Sequence, residues 1–163
     1  MEAIQKALAE ERADPAYQRK QQTAAKRRGE KQASYVEDFA KAVRVFLDFP
    51  LQYSDLAEQL AQAVTRHATP VGSGTVARTE RIPVAKRAES AVIAWLRHQT
   101  TAYDNMHIAR VKGRRREVRR MLAERSRELL DVYRQGRADD LASCPLRIAL
   151  ADKPTEAPRE QAN

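Results

Sequence analysis

The chain is short of the residues that build disulfide-rich, collagen-like and β-rich proteins. It has one cysteine in 163 residues, five glycines, seven prolines and only 6% aromatics. The single Cys144 cannot close an internal disulfide, which fits a reducing compartment. So few glycines and prolines exclude a collagen-like or low-complexity chain. The scarcity of aromatics argues against an aromatic-rich β-sandwich and against an RRM-like stacking sheet. Long apolar runs are missing too: the longest, Ala91 to Leu96, falls far short of the roughly 20 residues a helix needs to cross a bilayer. Residues 1–13 carry acids and no apolar core of the signal-peptide kind. The expectation is therefore a soluble, cytoplasmic protein with no membrane role.

What the chain has is positive charge. Lys and Arg number 30 against 22 Asp and Glu, a formal net charge of +8, which favours polyanionic partners. No segment alternates with period two and no internal repeat occurs. An Ala- and Arg-rich composition with helical periodicity predicts an all-α protein: a compact bundle of about four main helices, a basic N-terminal helical arm and a disordered C-terminal tail. The length allows one core.

Residues 1–33 form the expected arm, with high helix propensity and little apolar surface. Six cations and one acid lie between Arg19 and Lys31, so this stretch reads as a solvated polyelectrolyte. Ser34 and Glu37 have capping-box spacing, which predicts that ordered helix starts at Ser34. Tyr35, Phe39, Ala42, Val43, Phe46 and Leu47 then share one face until Pro50 closes the pattern. A second helix is predicted from Ser54 to His67, with His67 as a partly buried packing residue.

Pro70 to Thr79 reads as a loop whose Gly72-Ser-Gly74 lacks the Lys-Ser/Thr of a P-loop and the third glycine of a dinucleotide fold. A third helix is predicted near Pro83, anchored by Trp95. A fourth is predicted from Arg114 to Arg134, with Val118, Met121, Leu122, Leu129, Val132 and Tyr133 inward and Gly136 as a left-handed stop. The domain is expected over 34–137. In the tail, 138–163, a short packed piece around Leu146 to Leu150 precedes disorder.

Most of the excess charge sits between Arg110 and Arg137, where eleven cations meet four acids. Natural helices usually place Asp or Glu in the first turn, because the N-terminus already carries about half a positive charge. Here Arg114, Arg115 and Arg116 occupy it, an arrangement that becomes favourable when phosphate docks on the free N–H groups. Arg116, Arg120, Arg127 and Arg134 fall on one azimuth, predicting an outward cationic stripe roughly 27 Å long. The i,i+3 pairs Glu117–Arg120, Glu124–Arg127 and Asp131–Arg134 would neutralise part of it and leave Arg114 to Arg116 uncompensated. The expected phosphate contacts are Arg110, Lys112, Arg114, Arg115, Arg116, Arg119, Arg120 and Arg127, with Arg78 from the preceding loop.

A second feature is Trp95 to Asp104, where a helix ends in a polar turn holding His98, Thr101, Tyr103 and Asp104. A structural network, in which Thr101 or Asp104 caps a turn and Tyr103 packs, ranks ahead of direct ligand contact and of catalysis. His98 and Asp104 have the makings of a base and its orienting carboxylate, but no nucleophile is identifiable beside them. With His107 as the only nearby addition, no metal set is expected. No cofactor is expected either.

Gly72-Ser-Gly-Thr-Val-Ala-Arg-Thr79, Arg87-Ala88, Arg97-His98-Gln-Thr-Thr101-Ala-Tyr103-Asp104 and the Arg-rich helix together resemble domain of unknown function 2293, a family of helical bacterial proteins. The resemblance covers residues 40–135, and its most specific part is His-x-x-Thr-x-Tyr-Asp. Many relatives carry a second His where this chain has Thr100, which weakens a metal or acid-base role there. It implies a compact helical domain with no established activity, and leaves residues 1–33 and 138–163 outside.

The expected function is non-catalytic nucleic-acid binding, RNA ahead of DNA, through phosphates at Arg110 to Arg120 and helped by Arg19 to Lys31. No helix-turn-helix, zinc or basic-zipper pattern is present to read base edges. The alternatives are a small hydrolase or nuclease using His98 and Asp104 around the Gly72–Gly74 loop, or an adaptor docking on an acidic protein.

Overall fold

The structure is a computed structural model that describes residues 1–70, 81–140 and 144–151. The chain is all-α, with no strand among the described residues. Its helices are α1 (Glu2–Ala13), α2 (Pro15–Leu47), α3 (Ser54–Ala68), α4 (Val84–Thr100), α5 (Arg114–Arg134) and α6 (Pro145–Ala151). Short 3₁₀ turns lie at Leu51–Tyr53, Tyr103–Asn105 and Ala138–Asp140. The expected Gly72–Gly74 loop, Arg78 and the final residues of the tail lie outside the described residues.

The chain divides into two units, Met1–Asp38 and Phe39–Asn163. In the first, no described residue is buried and every cation from Arg19 to Lys31 is exposed. The helix expected to begin at Ser34 begins instead at Pro15, and Ser34 lies in its interior. The local chemistry explains why. The Asp14 carboxylate accepts the Ala16 N–H at 3.0 Å and the Asp14 carbonyl accepts Gln18 N–H at 3.0 Å. Pro15 thus takes the first helical position, where its missing N–H costs nothing. The Ala, Gln, Lys and Arg that follow sustain the helix, so no new start is needed at Ser34.

The second unit holds the core. Phe39, Val43 and Leu47 on α2 pack in one cluster with Leu60 and Val64 on α3 and with Val92, Trp95 and Leu96 on α4. α2 stops at Asp48, whose φ of 49° is left-handed. In α3 the buried stripe runs through Leu60, Ala61, Val64, Thr65 and Ala68. At 100° per residue His67 falls about 90° from its centre; it is exposed and is not the packing residue expected. Pro83 sits one place before the expected first turn, as the N-cap of α4, and its carbonyl accepts Arg87 N–H at 3.0 Å.

α5 begins and ends where the sequence predicts. Its inward stripe is Val118, Leu122, Ser126, Leu130 and Tyr133. Met121, expected inward, is 51% exposed, because it lies about 120° around the helix from that stripe. The stop at Gly136 is a Schellman motif: Gly136 N–H reaches Tyr133 O at 3.0 Å and Arg137 N–H reaches Val132 O at 3.1 Å. Gly136 takes φ +71°, which a residue with a Cβ rarely adopts.

Tyr133 stacks on Phe49 and meets Tyr53 edge-on, each with ring centroids 5.1 Å apart. Its hydroxyl lies 2.7 Å from the sulfur of Cys144, which is buried. Burial first, and then the contact with Cys144, push this phenol far above its ordinary value. α6 is the packed piece expected around Leu146 to Leu150; Leu146 and Ala149 join the same core.

Candidate nucleic-acid interface

α5 starts at Gly113, whose φ of 85° is left-handed and whose missing side chain offers no cap to the first turn. Its carbonyl accepts Glu117 N–H at 3.0 Å, while the N–H groups of Arg115 and Arg116 have no side-chain acceptor from the N-cap residue. The charge pattern differs from the i,i+3 expectation. Glu117 pairs backward with Arg114 at 2.9 Å instead of forward with Arg120. One carboxylate between two equivalent neighbours serves one of them, so Arg114 is compensated and Arg120 is not. Among the described residues no carboxylate pairs with Arg115, Arg116, Arg119 or Arg120. Arg110 and Lys112 are exposed just before the helix.

The predicted 27 Å stripe does not extend along the whole helix. Arg127 sits between Glu124 on its own helix and Glu89 on α4, both at 3.5 Å. Arg134 is turned inward. Its guanidinium donates to the carbonyls of Leu47 and Phe46 at 3.0 and 2.6 Å, pairs with Asp131 at 2.9 Å and lies over the Phe46 ring. It caps the last carbonyls of α2, where a cation is favoured by the helix dipole. What stays open of the stripe is Arg116 and Arg120, one turn apart.

The polar turn after α4 packs beside this start. Thr101 donates its hydroxyl to the Arg97 carbonyl and accepts Tyr103 N–H at 3.2 Å, tying the helix end to the turn. His98 Nδ1 is hydrogen-bonded to the Asp104 carboxylate, and the His98 ring meets Tyr103 edge-on with centroids 5.4 Å apart. Arg97 lies over the Tyr103 ring, its guanidinium carbon 5.0 Å from the ring centre. Arg119 Nε donates to the Tyr103 hydroxyl at 3.0 Å. That hydrogen bond is the main cause holding the phenol below its ordinary value; burial opposes it, and the charges of Arg97 and Arg115 add to it. The structure thus brings His98, Thr101, Tyr103 and Asp104 together and joins them to Arg119 of α5.

Helical geometry explains the junction. With 100° per residue, Arg115 and Arg119 continue the azimuth that buries Leu122, Ser126, Leu130 and Tyr133. At this end of α5 the core has run out, and the inward face meets the Tyr103 turn. Arg97 is the participant that charge counting passed over. A signal for it existed: positions 93, 94, 100 and 101 are Ile, Ala, Thr and Thr, so no acid is within helical reach of it. The same holds for Arg115, Arg116 and Arg119.

Residues 49–134, just over half of the chain, match the family model described as Uncharacterized conserved protein (DUF2293). The chain belongs to this family. The family segment holds α3, α4 and α5 and therefore every residue from Arg97 to Arg127 discussed above; it leaves out the basic arm and α6. No curated protein and no solved structure matches the chain. No described helix is long and apolar enough to cross a membrane. No cluster of three or more His, Cys, Asp or Glu able to hold a metal ion occurs among the described residues.

Proposed function

We propose that this protein binds nucleic acid through its phosphates, RNA ahead of DNA, at the start of α5. The observation that carries the reading is an uncapped, glycine-initiated helix start where Arg115 and Arg116 have no carboxylate partner among the described residues and Arg120 adds another open guanidinium. Phosphate docking would supply both the acceptors for the free N–H groups and the missing counter-charge. Arg suits the role because its planar fork takes two phosphate oxygens at once. Arg110 and Lys112 extend the surface, and the exposed cations from Arg19 to Lys31 form a second, separate basic segment. RNA is placed first because no recognition-helix arrangement for the major groove occurs among the described residues.

A filter-binding titration of the full chain at low salt tests this. Binding to single-stranded RNA that weakens steeply with salt is the expected result. No retention of RNA or duplex DNA at low salt overturns the reading. Capture of an acidic protein that survives nuclease treatment, without RNA retention, would establish the adaptor reading instead.

One contact favours a second reading, a hydrolase or nuclease. Asp104 holds Nδ1 of His98, the arrangement that orients an imidazole as a general base. RNA cleavage by the wild-type chain that is abolished in His98→Ala would support it; intact RNA after prolonged incubation would remove it.

A further inference from the structure

Two guanidinium groups from two helices meet at one tyrosine. Arg119 donates to the Tyr103 oxygen at 3.0 Å, and Arg97 lies over the Tyr103 ring at 5.0 Å. Arg115, one turn before Arg119 on the same face, adds its charge at the phenol. None of the three is paired with a carboxylate among the described residues. The nearest acid in the turn, Asp104, is engaged by His98. Arg97 is half-buried, and its Nε is buried without a hydrogen-bond partner.

Such an arrangement is costly without a counter-charge, because like charges crowd and a buried donor needs an acceptor. The turn is nevertheless built to hold it. Thr101 ties the turn to α4, and the Tyr103 ring is in contact with both the His98 ring and the Arg97 guanidinium. Because the phenol oxygen accepts from Arg119, its own hydrogen is free to be donated to a ligand.

We propose that Arg97, Arg119 and the Tyr103 hydroxyl form a receptor for the terminal phosphomonoester of a nucleic acid. This rests on the nucleic-acid reading above and adds which phosphate the chain prefers. Charge decides between an internal and a terminal group. An internal phosphodiester carries one negative charge, which leaves the two guanidinium groups at Tyr103 under-compensated. A phosphomonoester carries about −1.5 to −2 near pH 7 and presents three strong acceptor oxygens, a closer match to two forks and one O–H donor. Only a chain end bears that group. Arg116 and Arg120, roughly 100° away around α5, are left for the internal phosphates of the same strand.

The test uses the full chain and three RNA oligomers of one sequence with an internal fluorophore: one 5′-phosphorylated, one 3′-phosphorylated, one with hydroxyls at both ends. Anisotropy titrations are expected to show one phosphorylated form binding at least about tenfold tighter than the hydroxyl form. Millimolar inorganic phosphate should remove that margin. Arg97→Gln and Tyr103→Phe should shrink the preference at least several-fold while leaving the affinity for hydroxyl-ended RNA near wild type. If all three oligomers bind wild type equally, the terminal-phosphate receptor is wrong and nucleic-acid binding stands. If none binds, both fall. An end preference that persists undiminished in Arg97→Gln and Tyr103→Phe, with both variants folded by circular dichroism, would also overturn the assignment to this cluster.

Discussion

At the C-terminal end of α5, Arg134 reaches two carbonyls of α2, one carboxylate and one aromatic ring, and Arg127 lies between two glutamates. At the N-terminal end, Arg115, Arg116 and Arg120 meet no carboxylate among the described residues, and a glycine takes the place of a capping side chain. The same residue type on the same helix therefore sits in two environments. The pairing of acids, not the number of arginines, separates them. Arg127 and Arg134 are tied into the fold by acids on their own or a neighbouring helix. Arg115 and Arg116 have no acid three or four residues away, and the two glutamates within reach of Arg120 pair with Arg114 and Arg127 instead.

The comparison should break first, and hardest, at the structural end. Leu130, fully buried on α5, should cost about 3–5 kcal/mol when replaced by Ala, read from urea denaturation. Next, Arg134→Gln should cost about 1.5–3 kcal/mol, since charge-assisted hydrogen bonds to partly buried carbonyls are lost. RNA affinity should stay within about twofold of wild type. A large loss of affinity in folded Arg134→Gln would erase the distinction between the two ends.

An intermediate case sharpens it. Arg44 on α2 holds Glu58 on α3 through two bonds of 2.9 Å, with both side chains partly exposed. That hydrogen bonding is the main cause that lowers the Glu58 carboxyl below its ordinary value. A carboxyl with a depressed folded-state pKa stabilises the fold above its unfolded value and loses that contribution as pH falls through the folded one. Glu58→Gln should thus cost less than about 1 kcal/mol at neutral pH. The difference from wild type should vanish in acid, below the ordinary carboxylate range. The smallest effect is spectroscopic. In an alkaline absorbance titration one phenol should ionise early, disappear in Tyr103→Phe and move up in Arg119→Gln. Tyr133 should ionise last, with unfolding.

Periodicity read most of the fold, and it did so where one face was unambiguous. α5 runs from Arg114 to Arg134 as the arginine cluster and the Gly136 stop suggested. Local signals misled where stronger neighbours overrode them. The Ser34 capping box is present, but Asp14 and Pro15 had already started the helix and nothing between them interrupts it. Glu117 had two partners at equal spacing, and sequence could not say that Arg114 would take it. The tie from Arg134 to the carbonyls of Phe46 and Leu47 spans more than eighty residues and leaves no trace in spacing. In the candidate site, the motif residues His98, Thr101, Tyr103 and Asp104 were legible as a group. Their junction with Arg119 depends on how α4 packs against α5.

The most direct measurement is the salt dependence of single-stranded RNA affinity for wild type and for Arg115→Gln/Arg116→Gln/Arg120→Gln, with stability checked by thermal melting. Each phosphate contact contributes about 0.7 to the slope of log affinity against log salt for single strands. The variant is expected to melt like wild type, to bind at least about tenfold more weakly at low salt and to show a slope shallower by about 2. Equal affinity and an unchanged slope in a folded variant would contradict the assignment of the start of α5 as the phosphate-binding surface.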